Sequence, residues 1–135
     1  MPKKLTFLDA GVLMAGARES SQLREVALQI INDPDREFIT TNFVRLETEL
    51  KCDYYGYQEQ MKFYEIFFQY VDSYDGYEEI VAEAFRVGKR FGLNAMDALH
   101  IAAARLIGVE EFITTERPAS PFRNVKGVKI VFLQP

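Results

Sequence analysis

Four short segments, far apart in the chain, each hold a carboxylate in a similar setting: residues 5–11 (LTFLDAG), 40–49 (TTNFVRLETE), 94–102 (NAMDALHIA) and 112–117 (FITTER). Asp9 directly follows an apolar run, and Glu116 directly follows a β-prone run. Acids at strand exits, in a chain that alternates strands with helices, point to one acidic pocket. Two like charges about 4 Å apart repel by on the order of 4 kcal/mol at an effective dielectric near 20, so such a pocket needs a counter-ion. Mg²⁺ or Mn²⁺ prefers carboxylate oxygen and removes the repulsion. A pair of such ions roughly 4 Å apart can clamp an in-line displacement at phosphorus, with no nucleophilic side chain required.

Each acid also has an ordinary reading. Asp9 can cap a helix. Asp97 can favour the dipole of a helix's first turn. Glu47, which competes with Glu49 for the role, can be a solvated helix residue, and Glu116 can be a loop charge. Joint placement is what raises the signal. Thr114 and Thr115 could hold a phosphate or a water, but strand propensity explains them equally well. Asn42 reads first as a cap. His100, the only histidine, lies three residues after Asp97 and so faces a similar side, although a packed or hydrogen-bonded role is the default for it. No Ser/His/Asp or Cys/His apparatus can be assembled, and the chain has neither a GxGxxG nor a P-loop.

The elements that must position these acids follow from pattern. Residues 5–8, 37–40, 111–115 and 128–133 read as strands, the last an edge strand because Lys129 interrupts it. Helices are expected over 12–18, 23–31 (capped by Ser20 or Ser21), 42–51 (capped by Thr41 or Asn42), 57–71, 77–91 (capped by Asp75) and 95–107 (capped by Asn94), with Gly92 and Gly108 as stops. This order favours an α/β fold: a three-layer α/β/α sandwich with a central, mostly parallel sheet and right-handed connections. In such a sheet, ligands sit outside the carboxyl ends of the strands, where Asp9 and Glu116 would lie.

The chain has 135 residues, which fits one domain over 1–135, and 48% are hydrophobic, enough for a core. A net charge of −4 counts mildly against a polyanionic substrate, but bound cations can reverse the sign of a site locally. Cys52 is the only cysteine, which fits a reducing cytosol. No segment has the length of apolar sequence a membrane helix needs, and no secretory leader is evident. A cytoplasmic protein without a membrane role is expected.

The four blocks resemble the PIN domain family of metal-dependent nucleases over nearly the whole chain. LDAGVLMAG is similar to the opening block, NFVRLETEL to the second and NAMDALHIAAA to the third, which is the most specific of the four; FITTERPASPF is similar to the fourth. The resemblance implies that Asp9, Glu47, Asp97 and Glu116 are the metal-binding, catalytic acids, with Mg²⁺ or Mn²⁺ as cofactor. It further implies an endoribonuclease acting on RNA, of the VapC-like toxin type, forming a homodimer and silenced by a small antitoxin protein. The sequence departs from the family pattern at Ala10 and Gly11, where a small hydroxyl residue and then Asn or Ser are common. It departs again at Glu116, where Asp is usual, and at Pro118 and Ala119, which replace a later acid. Arg18, Arg45 and Arg117 are candidates for gripping substrate. The competing expectation is a PIN-like protein-binding module with little or no activity. A haloacid-dehalogenase phosphatase is disfavoured because Gly11 stands where its second Asp is needed, and a receiver domain because paired early acids and a late lysine are lacking.

Overall fold

The computed structural model describes residues 2–135. Five strands form one sheet: β1 (Lys4–Leu8), β2 (Arg36–Thr40), β3 (Asp72–Ser73), β4 (Glu111–Thr114) and β5 (Lys129–Phe132), in the order β3-β2-β1-β4-β5 with every pairing parallel. Among the described residues there are six α-helices: α1 (Ala10–Ala17), α2 (Arg24–Ile31), α3 (Asn42–Tyr55), α4 (Gln58–Tyr70), α5 (Tyr77–Phe91) and α6 (Ala95–Ile107); a short 3₁₀ turn, Pro121–Asn124, precedes β5. The three-layer α/β/α architecture expected from the element order is the one present.

Strand order explains the layers. The chain steps outward from β1 to β2 to β3, then returns across the sheet to β4. Right-handed crossovers in opposite directions put their helices on opposite faces. Accordingly α1 packs with α2, α3 and α4, whereas α5 packs with α6. The middle strands are covered on both sides and are apolar where the helices press on them: Phe7, Leu8, Phe112 and Ile113 are buried, with Phe7 stacked on Phe112 at 5.5 Å between ring centroids. Helix α1 (AGVLMAGA) carries no charge and buries Ala10, Val12, Leu13, Ala15 and Gly16, as a helix apolar all round must.

Several ends obey the expected rules. Thr41 caps α3 through its side chain and Asn94 caps α6, while Gly92 and Gly108 stop α5 and α6 at φ 74° and 79°, a left-handed conformation that glycine adopts without a Cβ clash. Others differ. Helix α2 has no side-chain cap; Ser21 Oγ instead accepts from the Leu23 amide in a turn before the helix. Helix α5 starts after Gly76, so Asp75 is not its cap. Helix α1 begins two residues earlier than expected, because Asp9 caps it. Strand β3 has no counterpart in the sequence pattern. It is two exposed residues that pair with Ile39 and Thr40, too short for any periodicity to register.

At the amino ends of the strands a buried acid ties three of them together. Glu111 is 2% exposed; its carboxylate accepts from Thr6 Oγ1 at 2.7 Å and from Arg36 Nε at 2.7 Å, with Lys4 Nζ at 4.0 Å. Burial alone would raise its pKa, but the bonds from Arg36 and Thr6 outweigh it and hold the group below the ordinary value. This clasp sits at the end of the sheet away from Asp9.

Candidate functional site

Strands β1 and β4 are neighbours, with Leu8 in register with Ile113, and the chain diverges at their carboxyl ends. This is the crevice where open α/β sheets bind ligands. Asp9 leaves β1 there, its amide donating to the Ile113 carbonyl at 2.9 Å. Its carboxylate is fixed at both oxygens. Oδ1 accepts from the Ala10 amide at 2.9 Å, and Oδ2 accepts from Thr114 Oγ1 at 2.8 Å. Thr114 Oγ1 in turn accepts from the Glu116 amide at 3.1 Å. One hydroxyl thus ties the first acid to the backbone of the fourth. The capping and site readings of Asp9 are compatible: the side chain that starts α1 is buried in the pocket, 6% exposed.

Thr114→Val keeps the shape and removes that hydroxyl. Loss of two buried hydrogen bonds is expected to destabilise the fold by about 1–3 kcal/mol and to free one oxygen of Asp9. Chemical denaturation monitored by circular dichroism measures the first effect.

Two helices from opposite layers complete the pocket, and α3 meets α6 above the sheet edge. Glu47 projects from α3. Asp97 and His100 project from α6, one turn apart. His100 Nε2 lies 2.7 Å from Glu47 Oε1 and 3.9 Å from Asp9 Oδ1. One ligand atom from each of Asp9, Glu47 and His100 lies within 4.8 Å of the others. Asp97 is half-buried, and its pKa is pushed up to about 6, first by burial and then by the charges of Asp9, Glu116 and Glu47, with His100 opposing. A first-turn acid serving only the helix dipole would be held low; Asp97 is displaced the other way, by burial first and by its fellow acids second. Asp9 is also raised, chiefly by burial, with His100 and the Thr114 hydrogen bond working against the rise. Glu116 is exposed at the mouth.

Asp97 therefore feels the other three acids singled out from the sequence across the same crevice. Glu47 rather than Glu49 enters it, since Glu49 pairs with Arg45 at 3.3 Å along α3. His100 belongs to the cluster, in the hydrogen-bonded role that the sequence left open beside packing. Its spacing from Asp97 was the available signal. Asn42 is not a cap; it donates to the Tyr77 hydroxyl at 2.6 Å. Gly11 and Thr115 fit each other: a Cβ on Gly11 would stand 2.2 Å from Thr115 Oγ1, so the absent side chain lets that hydroxyl lie against the first turn of α1. Arg18 sits at the far end of α1, where its charge reaches Cys52 and Tyr64 rather than the acids. Arg117 is exposed next to Glu116.

The carboxylates present suit a hard divalent cation, because the pocket gathers more negative charge than its single imidazole can balance.

No curated protein matches the chain. Among solved structures, the fold is similar to a toxin–antitoxin complex from Klebsiella pneumoniae (TM-score 0.71, 16% identity, 96% of this chain and 98% of that one). It is also similar to VapBC2 from Rickettsia felis bound to a DNA fragment from their promoter (TM-score 0.74, 9% identity, 96% and 99%), and to FitAB bound to an IR36 DNA fragment (TM-score 0.55, 18% identity, 94% of each chain). At these identities the likeness is one of fold. The family model of the PIN domain matches residues 6–125, which spans Asp9, Glu47, Asp97 and Glu116, and the chain belongs to the PIN domain family.

Proposed function

We propose that this chain is an Mg²⁺- or Mn²⁺-dependent endoribonuclease and the toxin of a toxin–antitoxin pair. The observation that carries the reading is the gathering of Asp9, Glu47, Asp97 and Glu116 at one crevice, where burial first and the like charges of the other three acids second push Asp97 up to about 6. Groups perturbed by burial and by like charges in a cleft mark functional sites. Asp9, Glu47, Asp97 and Glu116 are the residues that would hold the cations. When bound, the cations supply Lewis-acid polarisation at phosphorus and an activated water. The chain's own part is positional. Thr114 and the Ala10 amide fix Asp9. Two helices bring Glu47 and Asp97 in from opposite layers. Glu116 stands exposed at the rim, where a phosphodiester would enter. Cys52 is buried on α3 against the Tyr57 carbonyl, so it offers no competing nucleophile.

Exposed apolar side chains support partner binding. Leu46, Leu50 and Tyr54 follow one another at four-residue spacing along α3, and Tyr54 is 83% exposed. Val81, Phe85, Leu93 and Leu99 line a second apolar groove between α5 and α6. One surface suits a small antitoxin protein and the other a second copy of the chain. The solved neighbour from Klebsiella pneumoniae is itself a toxin–antitoxin complex. Among the described residues no helix is long and apolar enough to cross a membrane. A cytoplasmic setting agrees with the lone thiol.

The test is metal-dependent. Mn²⁺ at about 100 times its Kd should stabilise the fold by about 2.7 kcal/mol per site, a rise of about 10 °C in a chain of this size. The same additions should start cleavage of a single-stranded RNA, and chelator should stop it. Melting curves that ignore Mn²⁺, with intact RNA, would reject the nuclease and favour the protein-binding alternative.

A further inference from the structure

We infer that His100 is a positioning residue that donates its Nε2 hydrogen to Glu47 and is not itself a metal ligand, so that a bound ion meets oxygen donors only. This rests on the nuclease reading for the identity of the ion, but not for the hydrogen bond.

Geometry alone offers a different answer. Asp9, Glu47 and His100 together look like a mixed nitrogen and oxygen site of the kind zinc favours. The other ring nitrogen argues against it. His100 is 0% exposed, its ring tilted against Phe7, and its Nδ1 is buried with no hydrogen-bond partner among the described residues. A histidine that ligates through one nitrogen donates the hydrogen on the other to a carboxylate, carbonyl or water. Were Nε2 to give its lone pair to an ion, the proton would move to Nδ1 and become a buried donor facing nothing. With the proton on Nε2, Nδ1 needs no acceptor, and the 2.7 Å contact becomes a charge-assisted bond from Nε2 to Glu47 Oε1.

The consequence falls on Glu47. Its side chain is 35% exposed on α3 and carries the same charge as Asp9 and Asp97. Left alone it would swing toward solvent. The bond holds Oε1 and leaves Oε2 for an ion. An all-oxygen donor set selects hard cations such as Mg²⁺ and Mn²⁺ over zinc.

The chain's single histidine makes the test direct, since nitrogen-15 spectra of the intact protein contain one imidazole. The expected result is a proton on Nε2 in the metal-free protein, retained when Mg²⁺ or Zn²⁺ is added, while the side-chain carboxyl signals of Glu47 and Asp97 shift. A proton on Nδ1, or loss of the Nε2 proton as Zn²⁺ is added, overturns the inference. Carboxyl signals that respond to no ion would instead remove the nuclease reading, and the metal-free tautomer would still decide the role of His100. His100→Gln keeps an amide donor and should retain Mn²⁺ affinity within about threefold, whereas His100→Leu should lose about 10- to 100-fold. Equal losses in both variants, with unchanged metal-free melting curves, would mean that His100 is a ligand.

Discussion

Asp97→Asn is expected to raise the melting temperature of the metal-free protein by about 7 °C and to lower metal-dependent RNA cleavage about a thousandfold. Both effects have one origin. Folding moves the Asp97 carboxyl from 3.8 to about 6, so the folded state holds its proton more tightly than the unfolded chain does. Ionisation above about 6 therefore works against the fold, by on the order of 2 kcal/mol after allowance for the half of the group that water still reaches. Asparagine never ionises, so the penalty of burying a charge and the repulsion both go. It also gives up a charged oxygen that a cation would use, and losing several kcal/mol of charge stabilisation in the transition state corresponds to about three powers of ten in rate. A residue with a merely structural role would not trade stability against turnover in this way.

The same linkage sets a pH profile. Acidifying the metal-free protein from about pH 7.5 to about pH 5 should raise its melting temperature, because Asp97, and Asp9 with it, regain protons that the folded state favours. Below 4.5 the trend should reverse. Glu111 titrates lower folded than unfolded, so its contribution is complete above 4.5 and is lost as pH falls further. A calorimetric maximum between these limits, flattened on its alkaline side in the Asp97→Asn protein, is the expected trace. A melting temperature that falls steadily from pH 7.5 downward would contradict it.

The largest loss of stability is expected at the other end of the sheet. Arg36→Met should cost about 3–5 kcal/mol, since it strands the Glu111 carboxylate in the interior with only Thr6 and a distant Lys4 for company. Most of that figure is the penalty of an uncompensated buried charge. The double variant Arg36→Met, Glu111→Leu should therefore recover at least about 1 kcal/mol relative to the single one. Urea denaturation of the set reads this out. Cleavage per folded molecule should stay unchanged, because the clasp lies at the amino ends of the strands and the acids at the carboxyl ends.

Much of this arrangement is written plainly in the chain. Runs such as 5–8 and 111–115 are short and β-prone, which reads as strand rather than helix. Gly92 and Gly108 mark helix ends because a left-handed residue is needed there. Asn94 and Asp97 fix where α6 begins and which acid stands in its first turn. The failures are equally physical. Strand β3 is two residues held by its neighbour, with no pattern of its own. The serines before α2 and Asp75 before α5 are good caps by type, but the backbone turns one or two residues later. The choice between Glu47 and Glu49 depended on which face of α3 meets α6, a tertiary fact. His100 was harder still. A lone histidine on an alanine-rich helix reads as packed or hydrogen-bonded, and only the approach of Glu47 from another layer shows which group its ring engages.

The two helical layers meet the sheet separately, yet each contributes a jaw to the acidic crevice: α3 brings Glu47, α6 brings Asp97, and the sheet between them fixes Asp9. The crevice is thus a caliper that spans the thickness of the molecule. A partner seated on the outward ridge of α3 has no need to plug the opening. Tilting that one rod by about an ångström would spread the jaws, and a misplacement of that size can slow chemistry about a hundredfold.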